Sequence, residues 1–359
     1  MSPEPSTDEV RAAAERAARA SYGRLVALLA APTRDIALAE DSLADAFEQA
    51  LRTWPGHGIP DNPEAWLLTV ARNRQRDVFK SAAHRTSTPL SDTETDTMTA
   101  LDDTELDAIP DKRLELLFAC AHPAIAADIR TPLMLSAVLG FEAKDIAAAF
   151  GVAPAAMAQR LVRAKRRIRA AGIPFSVPTQ GGMAERLGFV LEAIYGAYTL
   201  DWESLGEVSI RASGATRPAH GDQSLAAESL FLAVTVAALL ESEPEAWGLA
   251  ALIALSSSRA PARHVGGVFV PFSEQDPALW DDALIREGEA YLRRAHSFGM
   301  PMGRFQLEAA IQSVHCDRRR TGVTDSESLI RLYRALVEIA PTAGARDALA
   351  AVEATRANP

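Results

Sequence analysis

Between Thr86 and Ile109 the sequence carries seven aspartate or glutamate residues and no lysine or arginine. Threonine, aspartate and serine dominate this stretch, and its apolar residues follow neither a helical nor a strand period. Such a composition does not bury enough apolar surface to fold by itself. The sequence therefore predicts a flexible acidic linker over residues 86–107, with independently folded parts on either side.

A second boundary follows a basic segment that ends near Gly172. The sequence IPFSVPTQGG at residues 173–182 places two prolines and two glycines in ten positions, which is typical of a loop. Together the two boundaries predict three folded units, at residues 7–85, 108–172 and 183–359.

All three units are predicted to be helical, which makes the fold class all-α. Apolar residues recur at helical spacing, and aromatic residues make up only 6% of the chain. In the first unit, helices are expected over residues 7–30, 35–53 and 64–82, with a turn-rich loop TWPGHGIPDNP between the last two. Asn62 is suited to be the N-cap of the third helix, and Pro63 suits its first position.

The third helix carries two different faces. Trp66, Leu67 and Ala71 belong to an apolar stripe that is expected to be core, while Arg72, Arg76 and Lys80 recur every four residues on another side. This basic row is either a solvated helix face or a track for a polyanion such as nucleic acid.

The second unit contains the pattern of a helix-turn-helix. The sequence GFEAKDIAAAFGVAPAAMAQRL, residues 140–161, divides into a short helix, a tight turn at Gly151 and a second helix that starts near Pro154. Met157, Leu161, Ala164 and Ile168 are predicted to face the core of this second helix.

The opposite face of this helix is strongly basic, although the whole chain has a net charge of −10. Cations near a helix C-terminus complement the helix dipole, but a dipole needs one or two cations, whereas residues 158–171 hold six. Binding to DNA through this face is therefore favoured over a purely structural role. The residues predicted to contact DNA are Ala156, Gln159, Arg160, Arg163, Lys165, Arg166 and Arg167.

Three motifs in this order resemble the bacterial sigma factors of the extracytoplasmic-function type, within the sigma-70 family. They are AEDSLADAF at residues 39–47, NPEAWLLTVARNR with Asp77 at residues 62–77, and RLVRAK at residues 160–165. The resemblance implies that the chain binds core RNA polymerase through its β′ clamp helices and β flap, and that it binds promoter DNA and opens the strands.

The resemblance also implies roles for individual residues. The residues implied to bind the polymerase are Glu40, Asp41, Leu43, Asp45 and Phe47. The residues implied to recognise the −10 element are Asp61, Asn62, Arg72, Asn73, Arg76 and Lys80. A pocket for an unstacked base is implied near residues 55–63. The helix-turn-helix would read the −35 element, but Ala158 and Gln159 depart from the residues common in relatives, so the base preference does not carry over.

Residues 116–123, 157–165 and 170–175 resemble the subgroup with a long C-terminal helical extension. Within that extension, LLESEPEA at residues 239–246 and LVEIAPTA at residues 336–343 share a template, which is typical of degenerate tetratricopeptide repeats with a surface for a protein partner. Where subgroup members carry an Asn-Glu-Gly-Tyr-like element, this chain has IYGAYT at residues 194–199. The β-prone patch at residues 268–272 is expected to be an ordered loop over a helix pair, or else a contact with the sigma domains or the polymerase.

The sequence predicts a sigma factor whose C-terminal extension regulates it in cis. The alternative is a helix-turn-helix regulator with a partner-sensing repeat domain. No nucleophile elbow, phosphate loop or acid–base pair indicates an enzyme, and no cofactor is expected. Cys120 with His122, and Cys316 with His315, lack the spacing of a zinc motif, so no metal site is predicted. The longest apolar run, residues 230–240, is shorter than a membrane span, and the N-terminus lacks a signal peptide, so a cytoplasmic location is expected.

Overall fold

The computed structural model describes residues 6–86, 109–210, 225–265 and 268–357. Apart from Thr86, the predicted acidic linker lies outside these residues. The chain divides into two compact units, residues 1–193 and 194–359, and the division falls inside one helix. Each unit is described by itself.

The first unit consists of two helical lobes. The first lobe contains α1 (Thr7–Thr33), α2 (Ile36–His57) and α3 (Pro63–Thr86). The second lobe contains α4 (Ile109–Cys120), α5 (Ala127–Ala137), α6 (Ala143–Ala149), α7 (Pro154–Ala170) and the beginning of α8 (Gln180–Ile210).

The second unit contains the remainder of α8 and the helices that follow it. These are α9 (Leu225–Leu240), α10 (Pro244–Ser257), α11 (Ala260–Arg263), α12 (Asp282–Ser297), α13 (Arg304–Cys316), α14 (Arg318–Thr321), α15 (Ser326–Ile339) and α16 (Ala343–Ala357). A hairpin of two short antiparallel strands, β1 (His264–Val265) and β2 (Val268–Phe269), lies between α11 and α12. The predicted all-α class is confirmed, since this hairpin is the one sheet within the described ranges.

The first lobe forms around apolar side chains that meet between its three helices. Leu29, Leu43 and Leu67 are fully buried. The predicted cap of α3 is present, because the backbone N–H of Ala65 donates to Oδ1 of Asn62 at 3.0 Å. The helix therefore begins at Pro63, as the sequence indicates.

Helix α2 continues one turn beyond the predicted end at residue 53, to His57, with Pro55 inside it. The expected loop is therefore shorter than its sequence indicates. Trp54 is only 1% exposed and its ring packs edge-on against Trp66 at 5.4 Å. Burial of this large ring favours helical backbone at Trp54, and it outweighs the helix-breaking tendency of the Pro-Gly pair.

The two lobes of the first unit pack directly against each other, whereas the sequence predicted independently folded parts joined by a flexible linker. Helix α1 contacts α4, and α2 contacts α7. Tyr22 and Gly23 of α1 also approach Gly140 and Val138, just beyond the end of α5. At Gly23 of α1 the approach is so close that an added Cβ would lie 1.6 Å from the carbonyl oxygen of Val138. Only glycine allows two backbones to come this near.

Helix α10 lies at the centre of the second unit, where it contacts α9, α12 and α13. All of its residues from Ala246 to Ser256 are buried. Glu245 at its start accepts hydrogen bonds from the backbone N–H groups of Phe305 and Gln306 at 2.9 and 3.1 Å, which caps the N-terminus of α13.

The two copies of the repeat template both fall at junctions between consecutive helices. One spans the end of α9 and the start of α10, and the other spans the end of α15 and the start of α16. The tetratricopeptide-like character of the extension stays a prediction. None of the helices in the described ranges offers a stretch long and apolar enough for a bilayer crossing.

Candidate nucleic-acid interface

The helix-turn-helix forms as the sequence predicts. Gly151 adopts a left-handed conformation with φ of 61°, and the N–H of Val152 donates to the carbonyl of Ala147 at 2.9 Å to close the turn. Helix α7 starts at Pro154, and its predicted core residues are all buried, namely Met157, Leu161, Ala164 and Ile168. The opposite face of α7 is therefore turned outward.

Most residues predicted to contact DNA lie on this outward face. Ala156, Gln159, Arg163, Arg166 and Arg167 are exposed. Arg163 donates to Oε1 of Gln159 at 3.3 Å, which aligns two polar side chains at the centre of the face. The small Ala156 near the start of α7 lets the backbone come close to a base edge of a DNA duplex. The three exposed guanidinium groups further along the helix can reach phosphates on either side of the groove.

Arg160 and Lys165 differ from the other predicted DNA contacts because they are held by carboxylates. Arg160 forms an ion pair with Asp128 of α5. The Nζ atom of Lys165 lies 2.6 Å from both carboxylate oxygens of Glu40 on α2, in the other lobe. Only 12% of the Lys165 side chain and 19% of the Glu40 side chain are exposed.

A second ion pair joins the lobes nearby. Arg169 lies 2.7 Å from Asp35, whose other oxygen accepts the N–H of Leu38 and caps α2. The pair formed by Lys165 and Glu40 brings together a residue of the predicted DNA-binding set and a residue of the predicted polymerase-binding set. The sequence analysis did not predict this contact between the two residues.

Burial also affects the protonation of Glu40 in its contact with Lys165. It raises the pKa of Glu40 above its usual value, and the charge of Lys165 opposes this shift without cancelling it. The carboxylate form of Glu40 is therefore less favourable in the packed lobes than in water. Burial, followed by the nearby Glu40 charge, also raises the pKa of Tyr22 on α1.

The other predicted polymerase contacts have mixed surroundings. Asp41 is exposed, while Asp45 and Phe47 are half-buried. Leu43 is fully buried in the first lobe, so it belongs to the core of the lobe and not to its surface. Asp45 accepts a hydrogen bond from Nε of Arg74 at 2.6 Å, which fixes α2 against α3.

The basic row of α3 is partly accessible. Asp61, Asn62, Asn73 and Lys80 are exposed, whereas Arg72 and Arg76 are half-buried. Arg76 donates to Oδ1 of Asn73 at 2.8 Å, and the pKa of Arg72 is lowered by burial and then by the Arg76 charge. Gln75, which sequence reasoning did not single out, is fully buried and donates to the carbonyl of Leu29 at 3.3 Å.

No three histidine, cysteine, aspartate or glutamate side chains in the described ranges are arranged to hold a metal ion. Cys120 and Cys316 are both buried thiols. Burial raises the pKa of Cys120 and of Cys316, so both remain protonated at neutral pH.

Comparison with known families identifies two parts of the chain. Residues 117–168, which include α5, α6 and most of α7, match the family described as sigma-70, region 4. Residues 186–296 match a family of unknown function, DUF6596. No solved structure matches the chain.

Individual relatives cover different lengths. The chain is 35% identical over 317 residues to the uncharacterized protein R00370 of Rhizobium meliloti, covering 86% of this chain and 72% of that protein. It is 32% identical over 149 residues to the RNA polymerase sigma factor CarQ of Myxococcus xanthus, covering 41% of this chain and 81% of CarQ. It is also 31% identical over 167 residues to the probable RNA polymerase sigma factor RfaY of Xanthomonas campestris, covering 42% of this chain and 40% of RfaY.

Proposed function

Because the chain belongs to the sigma-70 family of RNA polymerase sigma factors, we propose that it binds core RNA polymerase and directs it to promoters through both lobes. The observation that carries the proposal is the exposed basic face of α7, on a helix-turn-helix within the residues that match region 4. In this proposal α7 reads the −35 element, and Arg163, Arg166 and Arg167 contact bases or phosphates.

The first lobe would supply the remaining contacts. Asp41, Asp45 and Phe47 on α2 would meet the β′ clamp helices, and the polar face of α3 would meet the −10 element. Neither lobe needs high affinity alone, because a covalent tether raises the effective concentration of the second lobe once the first is bound.

The contact between Lys165 and Glu40 requires an opening step in this proposal. While the two side chains are paired, neither is available to DNA or to the polymerase. The 22 residues between Thr86 and Ile109 span at most about 75 Å when extended. That reach allows the lobes to move apart while they stay joined.

Regulation in cis by the C-terminal extension, including a protein partner on its helical repeats, is part of the proposal. The structure determines where a truncation should be made. Met183, Leu187 and Val190 of α8 are buried in the first unit, and Arg186 donates to the carbonyl of Phe118 at 3.4 Å. Removal of the extension should therefore start after Ala193 and not after Gly182.

The decisive experiment is run-off transcription with core polymerase on a promoter library. We expect the full chain to form a complex with core polymerase and to start transcripts at a defined subset of promoters. A chain that binds duplex DNA but not core polymerase would support the alternative helix-turn-helix regulator instead. If truncation after Ala193 leaves the transcript yield unchanged, regulation by the extension is excluded while the sigma function stands.

A further inference from the structure

Arg160 differs from the other basic residues of α7 because its counter-charge lies within its own lobe. Helix α7 carries six lysine or arginine residues. Lys165 and Arg169 have their carboxylate partners in the first lobe, whereas Arg160 pairs with Asp128 of α5, in the same lobe as α7. The remaining three form no ion pair with any residue that the structure describes, namely Arg163, Arg166 and Arg167. When the lobes separate, Lys165 and Arg169 therefore lose their partners while Arg160 keeps its own.

The contact between Arg160 and Asp128 uses one nitrogen of the guanidinium group. Nη2 of Arg160 donates to Oδ2 of Asp128 and, at 3.2 Å, to the backbone carbonyl of the same residue. Within the described ranges, Nε and Nη1 of Arg160 donate to no residue and Oδ1 of Asp128 accepts from none. The Asp128 side chain is 72% exposed and the Arg160 side chain is 30% exposed. The pair therefore presents unused donors and an unused acceptor side by side.

The position of Arg160 on α7 places this pair beside the predicted DNA-binding face. Arg160 follows Ala156 by four residues and precedes Arg163 by three, so the three residues share one side of the helix. Ala156 and Arg163 are both exposed. A duplex that lies against this face would therefore also meet Arg160 and Asp128.

An arginine that is held by a carboxylate interacts with DNA differently from a free one. A free arginine loses rotamer entropy when it binds, whereas the side chain of Arg160 is already ordered by Asp128. The carboxylate also balances the charge of the guanidinium, so the pair attracts phosphate less than Arg163 or Arg166 does. Arg160 is therefore better suited to a base edge than to the backbone of the duplex.

The unused groups of the pair match the pattern of one base pair. In the major groove a G·C pair presents two acceptors, N7 and O6 of guanine, next to the N4 amino donor of cytosine. The donors of Arg160 suit the guanine, and Oδ1 of Asp128 suits the cytosine. An A·T pair presents a donor between two acceptors, so the carboxylate would face O4 of thymine or the guanidinium would face the adenine amino group.

We propose that Asp128 and Arg160 together read one G·C base pair of the promoter, with Arg160 donating to guanine and Asp128 accepting from cytosine. The inference rests on the proposed function, since it concerns the sequence that α7 reads. It makes Asp128 a specificity-determining residue, although Asp128 lies outside the helix-turn-helix and 32 residues before Arg160. Unpaired cations supply the phosphate contacts in this arrangement.

The test uses the full chain with core polymerase on a promoter library that is randomised around the −35 element, and the bound fraction is sequenced. In Asp128→Asn the preference for G·C should fall by about 10- to 100-fold at one position and stay unchanged at the others. The slope of log affinity against log salt should become steeper by about 0.9, because the released Arg160 can contact a phosphate. An ion pair with a structural role alone would lower the Tm and leave the base preference unchanged.

Two further variants separate base recognition from a general effect of charge. The double replacement Asp128→Asn with Arg160→Gln removes opposite charges, so the salt slope of the parent should return while the G·C preference stays lost. Glu142→Gln is the matched control, because it removes an exposed carboxylate, paired with Lys144, from the same lobe. Its base preference should equal that of the parent at every position.

The proposal is overturned if Asp128→Asn selects the same sequences as the parent, or if Glu142→Gln loses the same G·C preference. If Asp128→Asn does not fold, the parent is tested on promoters with N4-methylcytosine at each preferred G·C position in turn. This base keeps its pairing but loses the amino donor in the major groove, and an affinity that it lowers at no position would refute the contact with Asp128. A parent that selects no sequence would refute the proposed function as well, whereas a selective parent with an unchanged variant would refute this inference alone.

Discussion

Replacing Lys165 by methionine should loosen the contact between the two lobes of the first unit. At 2.6 Å the attraction between Lys165 and Glu40 is about 6 kcal/mol for an effective dielectric constant of 20. For Glu40 the cost of burial exceeds the effect of this attraction, because the pKa of Glu40 stays raised despite the lysine. The intact pair therefore contributes little net stability, whereas Glu40 left alone would be a buried charge. We expect the single replacement to cost about 3 kcal/mol of unfolding free energy at neutral pH.

The pH dependence of this cost gives an internal check. Without Lys165 the pKa of Glu40 should rise further, since the opposing cation is gone. A protonated Glu40 needs no counter-charge, so the penalty of Lys165→Met should shrink as the pH is lowered through the Glu40 pKa. Chemical unfolding of parent and variant across this pH range measures the difference directly.

Separation of the lobes can be measured with a pair of spectroscopic probes at Asp61→Cys and Ala156→Cys, both exposed positions. The native thiols at Cys120 and Cys316 are buried and should not react with the labels. In the parent the distance distribution should be narrow, and Lys165→Met should broaden it.

Two further variants serve as controls. The double replacement Glu40→Gln with Lys165→Met removes both charges and should recover most of the lost stability. Arg52→Met breaks an exposed ion pair with Glu48 and should cost less than about 0.5 kcal/mol. If Lys165→Met is no more costly than Arg52→Met and the distance distribution is unchanged, the contact does not hold the lobes together.

Three other predictions follow from the geometry. Gly23→Ala should separate the lobes in the same distance measurement even though alanine favours helix by about 1 kcal/mol, whereas Gly56→Ala, which meets no atom within 4 Å, should not. Arg163→Ala should weaken promoter binding and reduce the slope of log affinity against log salt by about 1, and an unchanged slope would exclude a phosphate contact. The lowered pKa of His315 means that the folded state prefers the neutral imidazole, and this stabilisation is fully present above pH 6.5 and is lost as the pH falls to about 4. The total loss of unfolding free energy is about 3 kcal/mol. In His315→Gln the unfolding free energy should therefore depend less on pH between these two values, as chemical unfolding at several pH values can measure.

Local spacing predicted the parts of the fold that depend on neighbouring residues. The buried stripe of α7, the turn at Gly151 and the Asn62 cap of α3 are each determined within about one or two helical turns, and all three were found where the sequence indicated. The extension of α2 through Pro55 was missed because it depends on the packing of Trp54 against a distant ring.

Long-range pairings could not be predicted in this way. Lys165 and Glu40 are 125 residues apart, and each residue by itself has the pattern of an exposed charge. Gln75 likewise has a polar side chain in a core position, because its amide reaches a carbonyl of α1. Arg259 and Arg263 follow α10 as ordinary helix-end cations, and only the folded unit shows that both are buried.

The close approach at Gly23 makes the packing between the two lobes sensitive to very small genetic steps. Every glycine codon is one nucleotide from alanine and valine codons, and either side chain would collide with the Val138 carbonyl. We therefore expect a single point mutation at Gly23 to loosen the contact between the lobes without altering any residue predicted to contact DNA or polymerase. In the proposed function the lobes must separate before they bind a promoter, so selection for higher promoter activity should recover substitutions at this position.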